Sequence, residues 1–302
     1  RLEIDIAVDL KGYTLNARPG ILARRPAPVQ VSYLGFPGTL GADYIDYIIA
    51  DRIVIPAEDL ANYREQVVWL PDCYQANDGT RHIPRNVPTR AAAGLPENAF
   101  VFCSFNNSYK ISPDLFAVWM RVLEACPNSV LWLLRDNEDA VCNLRREAQR
   151  AGVDAERLVF APRLDLDAHL NRHPLADLFL DTAPCNAHTT ASDALWAGLP
   201  VLTCRNGTFA GRVASSLLCA VDLPDLITDT PGAYEKAAIE LFHRRDRLAE
   251  FRQHLIHQRE KLRLFDTDAL RRHLETAYHE MWRRTEAFEA ATLLAVGQVG
   301  AT

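Results

Sequence analysis

Paired cysteines are missing from this chain. The seven cysteines, at positions 73, 103, 126, 142, 185, 204 and 219, are odd in number and include no Cys-x-x-Cys. Most sit inside apolar runs, such as Cys103 in FVFCSF. That pattern argues against a structural zinc or a disulfide framework and for a reducing, cytoplasmic setting. Long hydrophobic runs are missing too: no stretch approaches the ~18–20 apolar residues of a membrane span, so no membrane partner is expected. The opening RLEIDIAVDLKGY lacks the charged–apolar–cleavage layout of a targeting segment and reads as a strand followed by a turn. Excess positive charge is absent as well. With a formal net charge of −6 there is no broad basic field, and nucleic acid is not expected as a partner.

Several reaction classes lose their signatures in the same way. No Gly-x-Gly-x-x-Gly follows any apolar run, which weakens a nicotinamide or flavin reading. There is no Walker A sequence, no Gly-x-Ser-x-Gly elbow and no His-Glu-x-x-His. Asp165-Leu166-Asp167 has the Asp-x-Asp form used by metal-dependent sugar transferases, but its place at a helix start favours capping, so no metal is expected.

What is present is an ordinary globular composition, 48% hydrophobic and 24% charged over 302 residues, enough for one large domain or two lobes. Beyond residue 98 short apolar runs recur at 99–104, 129–134, 157–161, 177–181 and 200–203. Each is apolar at nearly every position, as strands covered on both faces of a parallel sheet must be. Amphipathic segments lie between them. In residues 112–125 Ser112 is a candidate cap, Pro113 suits the first turn, and Leu115, Val118, Trp119, Val122 and Leu123 recur at helical spacing. The alternation predicts an α/β fold with a doubly wound parallel sheet.

The first ~70 residues alternate apolar runs (IDIAVDL, VQVSYLGF, YIDYIIAD) with turns, too few strands for a complete sheet of their own. The expected division is therefore the C-terminal part of a first Rossmann-like lobe at 1–71, a polar linker at 72–97, a nucleotide-binding lobe at 98–266, and a terminal helix and tail at 267–302 with Asp266 as its cap. A first lobe this short predicts that the chain is part of a longer protein.

Ligands of open α/β sheets bind beyond the carboxyl ends of the strands, and two loops there carry unusual chemistry. One is Phe105-Asn106-Asn107-Ser108-Tyr109-Lys110. The other is Asp181-Thr182-Ala183-Pro184-Cys185-Asn186-Ala187-His188-Thr189-Thr190, which runs into a helix bearing Asp193. Thr189 and Thr190 can offer backbone N–H groups and hydroxyls to an anion at the helix start, with Asp193 accepting from a ribose. Equally, a threonine can simply cap the helix and Asp193 complement its dipole. Lys110 is a mobile point charge suited to a diphosphate, though most lysines are merely solvated. His169 and Arg172 share one helix face, as surface residues often do.

At these loops the sequence resembles the catalytic region of protein O-GlcNAc transferases, and of the related plant SPINDLY proteins. The resemblance rests on FNNSYKISPDLFAVWMRVLEACPNSVLWLLR, LADLFLDTAPCNAHTTASDALWAGLPVLT and RRPAPVQVSYLGFPGTLGADYIDYIIAD, and it runs to about Trp282. It implies a two-lobed, GT-B-type transferase that moves N-acetylglucosamine from UDP-GlcNAc to Ser or Thr hydroxyls of a protein or peptide acceptor, with inversion and without a cofactor. By position, it implies that Asn107 and Lys110 meet the diphosphate and that Tyr109 lies near the sugar. His188, Thr189 and Thr190 would cradle the phosphates and Asp193 hold the ribose. His169 and Arg172 would flank the uracil, with the backbone at Leu164. Leu34, Gly35 and Cys185 would line the sugar pocket, and Arg18 would lie near the cleft. Lys110 is the residue to which the resemblance gives a catalytic role.

Two positions depart from the family pattern. Asn107 stands where glutamine is common, and Leu166 where the animal enzymes have a lysine. The family's reaction-centre histidines and its acceptor-binding helical repeats match nothing in this chain, and no residue here stands out as a general base. The chain is accordingly expected to bind donor weakly or not at all by itself. A relative using GDP-fucose, or a non-catalytic nucleotide-sugar sensor or scaffold, remains an alternative reading.

Overall fold

Each apolar run read from the sequence becomes a strand. In the computed structural model, which describes residues 3–82 and 85–297, the chain opens with β1 (Ile6–Asp9), β2 (Val29–Ser32), β3 (Tyr47–Asp51) and β4 (Gln66–Leu70). It continues through β5 (Phe100–Ser104), α1 (Pro113–Ala125), β6 (Ser129–Leu134), α2 (Glu138–Arg150), β7 (Leu158–Ala161), α3 (Leu166–Arg172), β8 (Leu178–Leu180) and α4 (Thr189–Trp196). Then come β9 (Val201–Cys204), α5 (Val213–Ala220), β10 (Ile227–Thr228), α6 (Pro231–His243), α7 (Arg245–His257), α8 (Thr267–Glu286) and β11 (Leu294–Ala295).

The described residues form two compact units. One comprises those of Arg1–Gly79, Thr208–Ala210 and Leu262–Thr302; the other is Thr80–Gly207 with Gly211–Lys261. The first unit holds a five-stranded sheet in the order β1-β2-β3-β4-β11, and every pairing is parallel. Three of its strands are the apolar runs read from the sequence. β4 and β11 are not among those runs, and β11 arrives from the far end of the chain to pair with Val68 and Trp69. A two-residue strand carries no periodicity of its own, so only the sheet edge that receives it defines it.

The second unit holds a six-stranded parallel sheet in the order β10-β9-β8-β5-β6-β7. From β5 the chain winds outward in one direction through β6 and β7. From β8 it winds in the other, through β9 and β10. This is the doubly wound α/β topology expected from the strand–helix alternation. Helix α1 shows how the sequence enforces it. The Ser112 side chain accepts the Leu115 N–H at 3.2 Å, Pro113 fills the first helical position, and Leu115, Val118, Trp119, Val122 and Leu123 are all buried. At its other end Arg157 donates to the carbonyls of Leu123 and Cys126, satisfying acceptors that a helix C-terminus leaves open.

Described residues of the polar stretch 72–97 are tied down within each unit. Cys73, Tyr74 and Gln75 are buried within the first unit, where the Tyr33 hydroxyl donates to the Tyr74 carbonyl at 2.9 Å. Within the second unit the Arg85 N–H donates to the Asn171 side chain, and Arg90 donates to the carbonyls of Ala99 and Leu175. The terminal helix α8 is capped by Asp266, which accepts the Ala269 N–H at 2.8 Å. Among the described residues no helix is long and apolar enough to cross a membrane.

Candidate functional site

The point where the winding of the second sheet reverses lies between β5 and β8. There the loops leaving adjacent strands diverge, the place beyond the carboxyl edge where open α/β sheets take their ligands. The loop after β5 carries Asn106 to Lys110, and the loop after β8 carries Asp181 to His188. The two unusual loops of the sequence thus flank the one switch point of this sheet.

Side chains join the loops directly. Lys110 Nζ donates to the Asn186 carbonyl at 2.6 Å. The Thr190 hydroxyl donates to Asn106 Oδ1 at 2.7 Å, Asn106 Nδ2 donates to Thr182 Oγ1 at 3.0 Å, and the Thr182 hydroxyl donates to the Cys185 carbonyl at 2.7 Å. Asp181, fully buried, accepts the N–H groups of Thr182 and Ala187 on one oxygen and the Thr203 hydroxyl on the other. Burial pushes its pKa up to about 7, against the opposing pull of those three donors and of the Lys110 charge. The Tyr234 hydroxyl closes the floor by donating to the Asp181 carbonyl, while Trp119 donates to Tyr234.

Helix α4 starts where the loop after β8 ends. Its N-cap is His188, and neither threonine caps it: Thr189 and Thr190 are the first two helical residues. Backbone N–H groups at those positions have no carbonyl four residues back within the helix, so they face outward as donors with the positive end of the dipole behind them. Asp193, one turn on, is buried and paired with Arg81, whose Nη1 lies 2.6 Å from Asp193 Oδ1. Burial raises the Asp193 pKa and Arg81 pulls it back. The Arg81 guanidinium also lies over the Trp196 ring, 5.1 Å from its centroid. Sequence reasoning missed Arg81 and Asn106. No local spacing links either to its partner, and only the Asn106 position, beside Asn107 and Lys110, offered a signal.

On α3, His169 and Arg172 do meet, with Arg172 Nη2 2.6 Å from His169 Nδ1. Guanidinium only donates, so Nδ1 is the acceptor and the ring proton sits on Nε2. Burial, then the Arg172 charge, push the His169 pKa down to about 4, which keeps the ring neutral at physiological pH. Burial likewise lowers Arg172 to about 10, and its other arm donates to the Pro162 carbonyl. Leu164 and Arg172 line a cavity of about 360 Å³ with Trp132, Pro162 and Ala168. His169 is not in that lining and instead packs edge-on to Phe105 and His173. Asp165 caps α3 by accepting the Ala168 N–H at 2.9 Å, and Leu166 begins the helix exposed.

Asn107 is half-buried, accepting from Arg163 Nη2 at 2.5 Å and donating to the Tyr109 hydroxyl at 3.2 Å. Tyr109 is otherwise exposed, and Cys185 is half-buried in its loop. Arg18, Leu34 and Gly35 belong to the first unit. Arg18 is exposed just before a short 3-10 turn. Leu34 has a left-handed φ of 67°, and the Gly35 N–H donates back to the Tyr33 carbonyl at 2.8 Å, a three-residue γ-turn strained for a leucine. Only glycine fits at 35: a Cβ there would stand 2.0 Å from the Leu10 carbonyl oxygen.

A family model described as Glycosyl transferase family 41 matches residues 2–86 and 78–274. The chain belongs to that family. Among curated proteins, the probable UDP-N-acetylglucosamine–peptide N-acetylglucosaminyltransferase SEC of Arabidopsis thaliana is 40% identical over 286 residues, which is 93% of this chain and 29% of the relative. The corresponding protein named SPINDLY of Solanum lycopersicum is 33% identical over 291 residues, 93% of this chain and 30% of the relative. Among solved structures, a mutant of the Thermobaculum terrenum O-GlcNAc transferase superposes with a TM-score of 0.84 at 32% identity, over 94% of this chain and 54% of that one. The chain therefore spans about a third of the length of these curated relatives and about half of that structure. The expected α/β fold of the GT-B type is borne out by the two parallel sheets and by this likeness. A sucrose-phosphate synthase from Thermosynechococcus elongatus, 13% identical with a TM-score of 0.61, shares the fold alone.

Proposed function

We propose that this chain is the donor-binding part of an inverting family 41 glycosyltransferase that moves N-acetylglucosamine from UDP-GlcNAc to Ser or Thr hydroxyls of a protein or peptide. The observation that supports this reading is the pair of switch-point loops: Lys110 Nζ reaches the Asn186 carbonyl in the loop that leads into α4, whose first N–H groups have no carbonyl four residues back within the helix.

In this reading uracil lies against α3, by His169, Arg172 and the Leu164 backbone, and the ribose meets Asp193. The diphosphate lies along His188, Thr189 and Thr190 with Asn107 and Lys110 opposite, and the sugar extends toward Tyr109 and Cys185. Leu34, Gly35 and Arg18 are assigned to the sugar and cleft side on the strength of the family likeness. As the glycosidic bond breaks, negative charge gathers on the leaving β-phosphate. Lys110 exchanges its carbonyl partner for that phosphate and, with the N–H groups of α4, stabilises the charge where it develops. The reading calls for no resident cofactor or metal, and Asp165 is already engaged as a helix cap. A cytoplasmic location and acceptor-binding helical repeats in the longer protein belong to the same proposal.

Calorimetry of the full-length enzyme against UDP, GDP and their sugars tests the donor: preference for the uridine series is expected, and preference for GDP overturns it. In the full-length enzyme Lys110→Ala should lower kcat by about 10²–10³-fold. An unchanged kcat with weaker donor binding alone would remove Lys110 from the chemical step.

A further inference from the structure

The hydrogen bonds that join the two loops have a forced direction. The Cys185 carbonyl can only accept, so the Thr182 hydroxyl proton points at it. The Thr182 oxygen must then accept from Asn106, and the carboxamide end facing it, at 3.0 Å, has to be the NH₂. That leaves Asn106 Oδ1 facing Thr190 at 2.7 Å, a gap that only the Thr190 hydroxyl proton can fill. Asn106 and Thr182 are 4% and 0% exposed, so water does not offer an alternative partner.

We infer that Asn106 is a positioning residue that takes up the hydroxyl proton of Thr190, so that a nucleoside diphosphate is gripped by the backbone N–H groups of Thr189 and Thr190 and by the exposed hydroxyl of Thr189. The inference rests on the donor-binding reading of these loops. It divides two neighbouring threonines that look equivalent in sequence: Thr189 is a ligand donor, and Thr190 is the pin that holds the first turn of α4 to the loop after β5. The chain of bonds ends on Cys185, one residue before the carbonyl that holds Lys110. Asn106 thereby sets the spacing between the cation and the helix start without touching phosphate itself.

Two measurements test this. In the ligand-free chain, the Asn106 carboxamide protons should show NMR cross-peaks to the Thr182 side chain; cross-peaks to Thr190 instead would mean a reversed amide and overturn the inference. For binding, UDP and uridine are titrated against Asn106→Ala, Thr190→Val and the double variant. Each single substitution should weaken UDP by about tenfold, the scale of one hydrogen bond, and the double variant by the same total of about tenfold rather than a hundredfold. Uridine affinity should be unchanged and Thr190→Ser close to wild type. Losses that multiply in the double variant would show that the Thr190 hydroxyl contacts phosphate on its own. These titrations use the full-length enzyme; should it bind neither ligand, the donor reading is what fails, and the cross-peaks still decide the direction of the amide.

Discussion

Arg81 and Asp193, separated by 112 positions in sequence, form an ion pair at 2.6 Å with side chains only 10% and 8% exposed. The carboxylate that the donor reading assigns to a ribose thus already has one oxygen committed to a cation. Removing that cation strands a buried charge, which ordinarily costs about 3–5 kcal/mol. Arg81→Ala should therefore lower the urea midpoint substantially. Without Arg81 the Asp193 pKa rises further, the folded state binds more protons than the unfolded one, and the deficit should grow as pH rises above about 4. An unchanged midpoint at neutral pH would show that the pair contributes little.

Asp181 should contribute a part of the stability that falls with rising pH. Its folded pKa is raised to about 7 from an ordinary 3.8. Between those values the folded state holds a proton that the unfolded state has lost. The contribution is fully favourable below about pH 4 and is lost as pH rises toward 7, at a limiting slope of about 1.4 kcal/mol per pH unit. Asp181→Asn can still accept N–H groups on its oxygen and donate to Thr203. Chemical denaturation at a series of pH values should show a flatter profile for that variant; an equally steep one would place the titration elsewhere.

His169 should titrate far below the ordinary histidine value. Its midpoint, followed by NMR of the ring carbons, is expected near 4 rather than 6.5. Arg172→Met removes the adjacent charge and should move the midpoint upward. Because the ring stays neutral, uridine affinity should be flat between about pH 5 and 8. A sigmoidal dependence centred in that range would contradict a ring that stays neutral there.

Gly35→Ala should destabilise the first unit by about 3 kcal/mol or more, since the new Cβ meets a backbone carbonyl at 2.0 Å and backbone cannot rotate away. Leu34→Gly, one residue earlier, is the contrasting variant. Relief of the left-handed φ offsets the entropy that glycine loses, so its cost should stay under about 1 kcal/mol. Thermal unfolding of the two variants checks the pair, and similar losses from both would count against the steric account.

The sequence by itself determined the elements whose information is local. The strands at Phe100–Ser104, Ser129–Leu134 and Leu158–Ala161, and α1 with its Ser112 cap, follow from side-chain period and capping chemistry within a dozen residues. The two loops at strand ends were legible for the same reason, and their motif was enough to point to the family. Tertiary structure decided what depends on residues far apart in the chain. It brought β11 back to the edge of the first sheet, set Arg81 on Asp193, and threaded a one-way line of hydrogen bonds from Thr190 through Asn106 to Cys185. Such partners are chosen by burial, because a polar group taken out of water must be satisfied by whatever the fold places beside it. No local period records that choice, so the two threonines of CNAHTT look alike in sequence and differ in the folded chain.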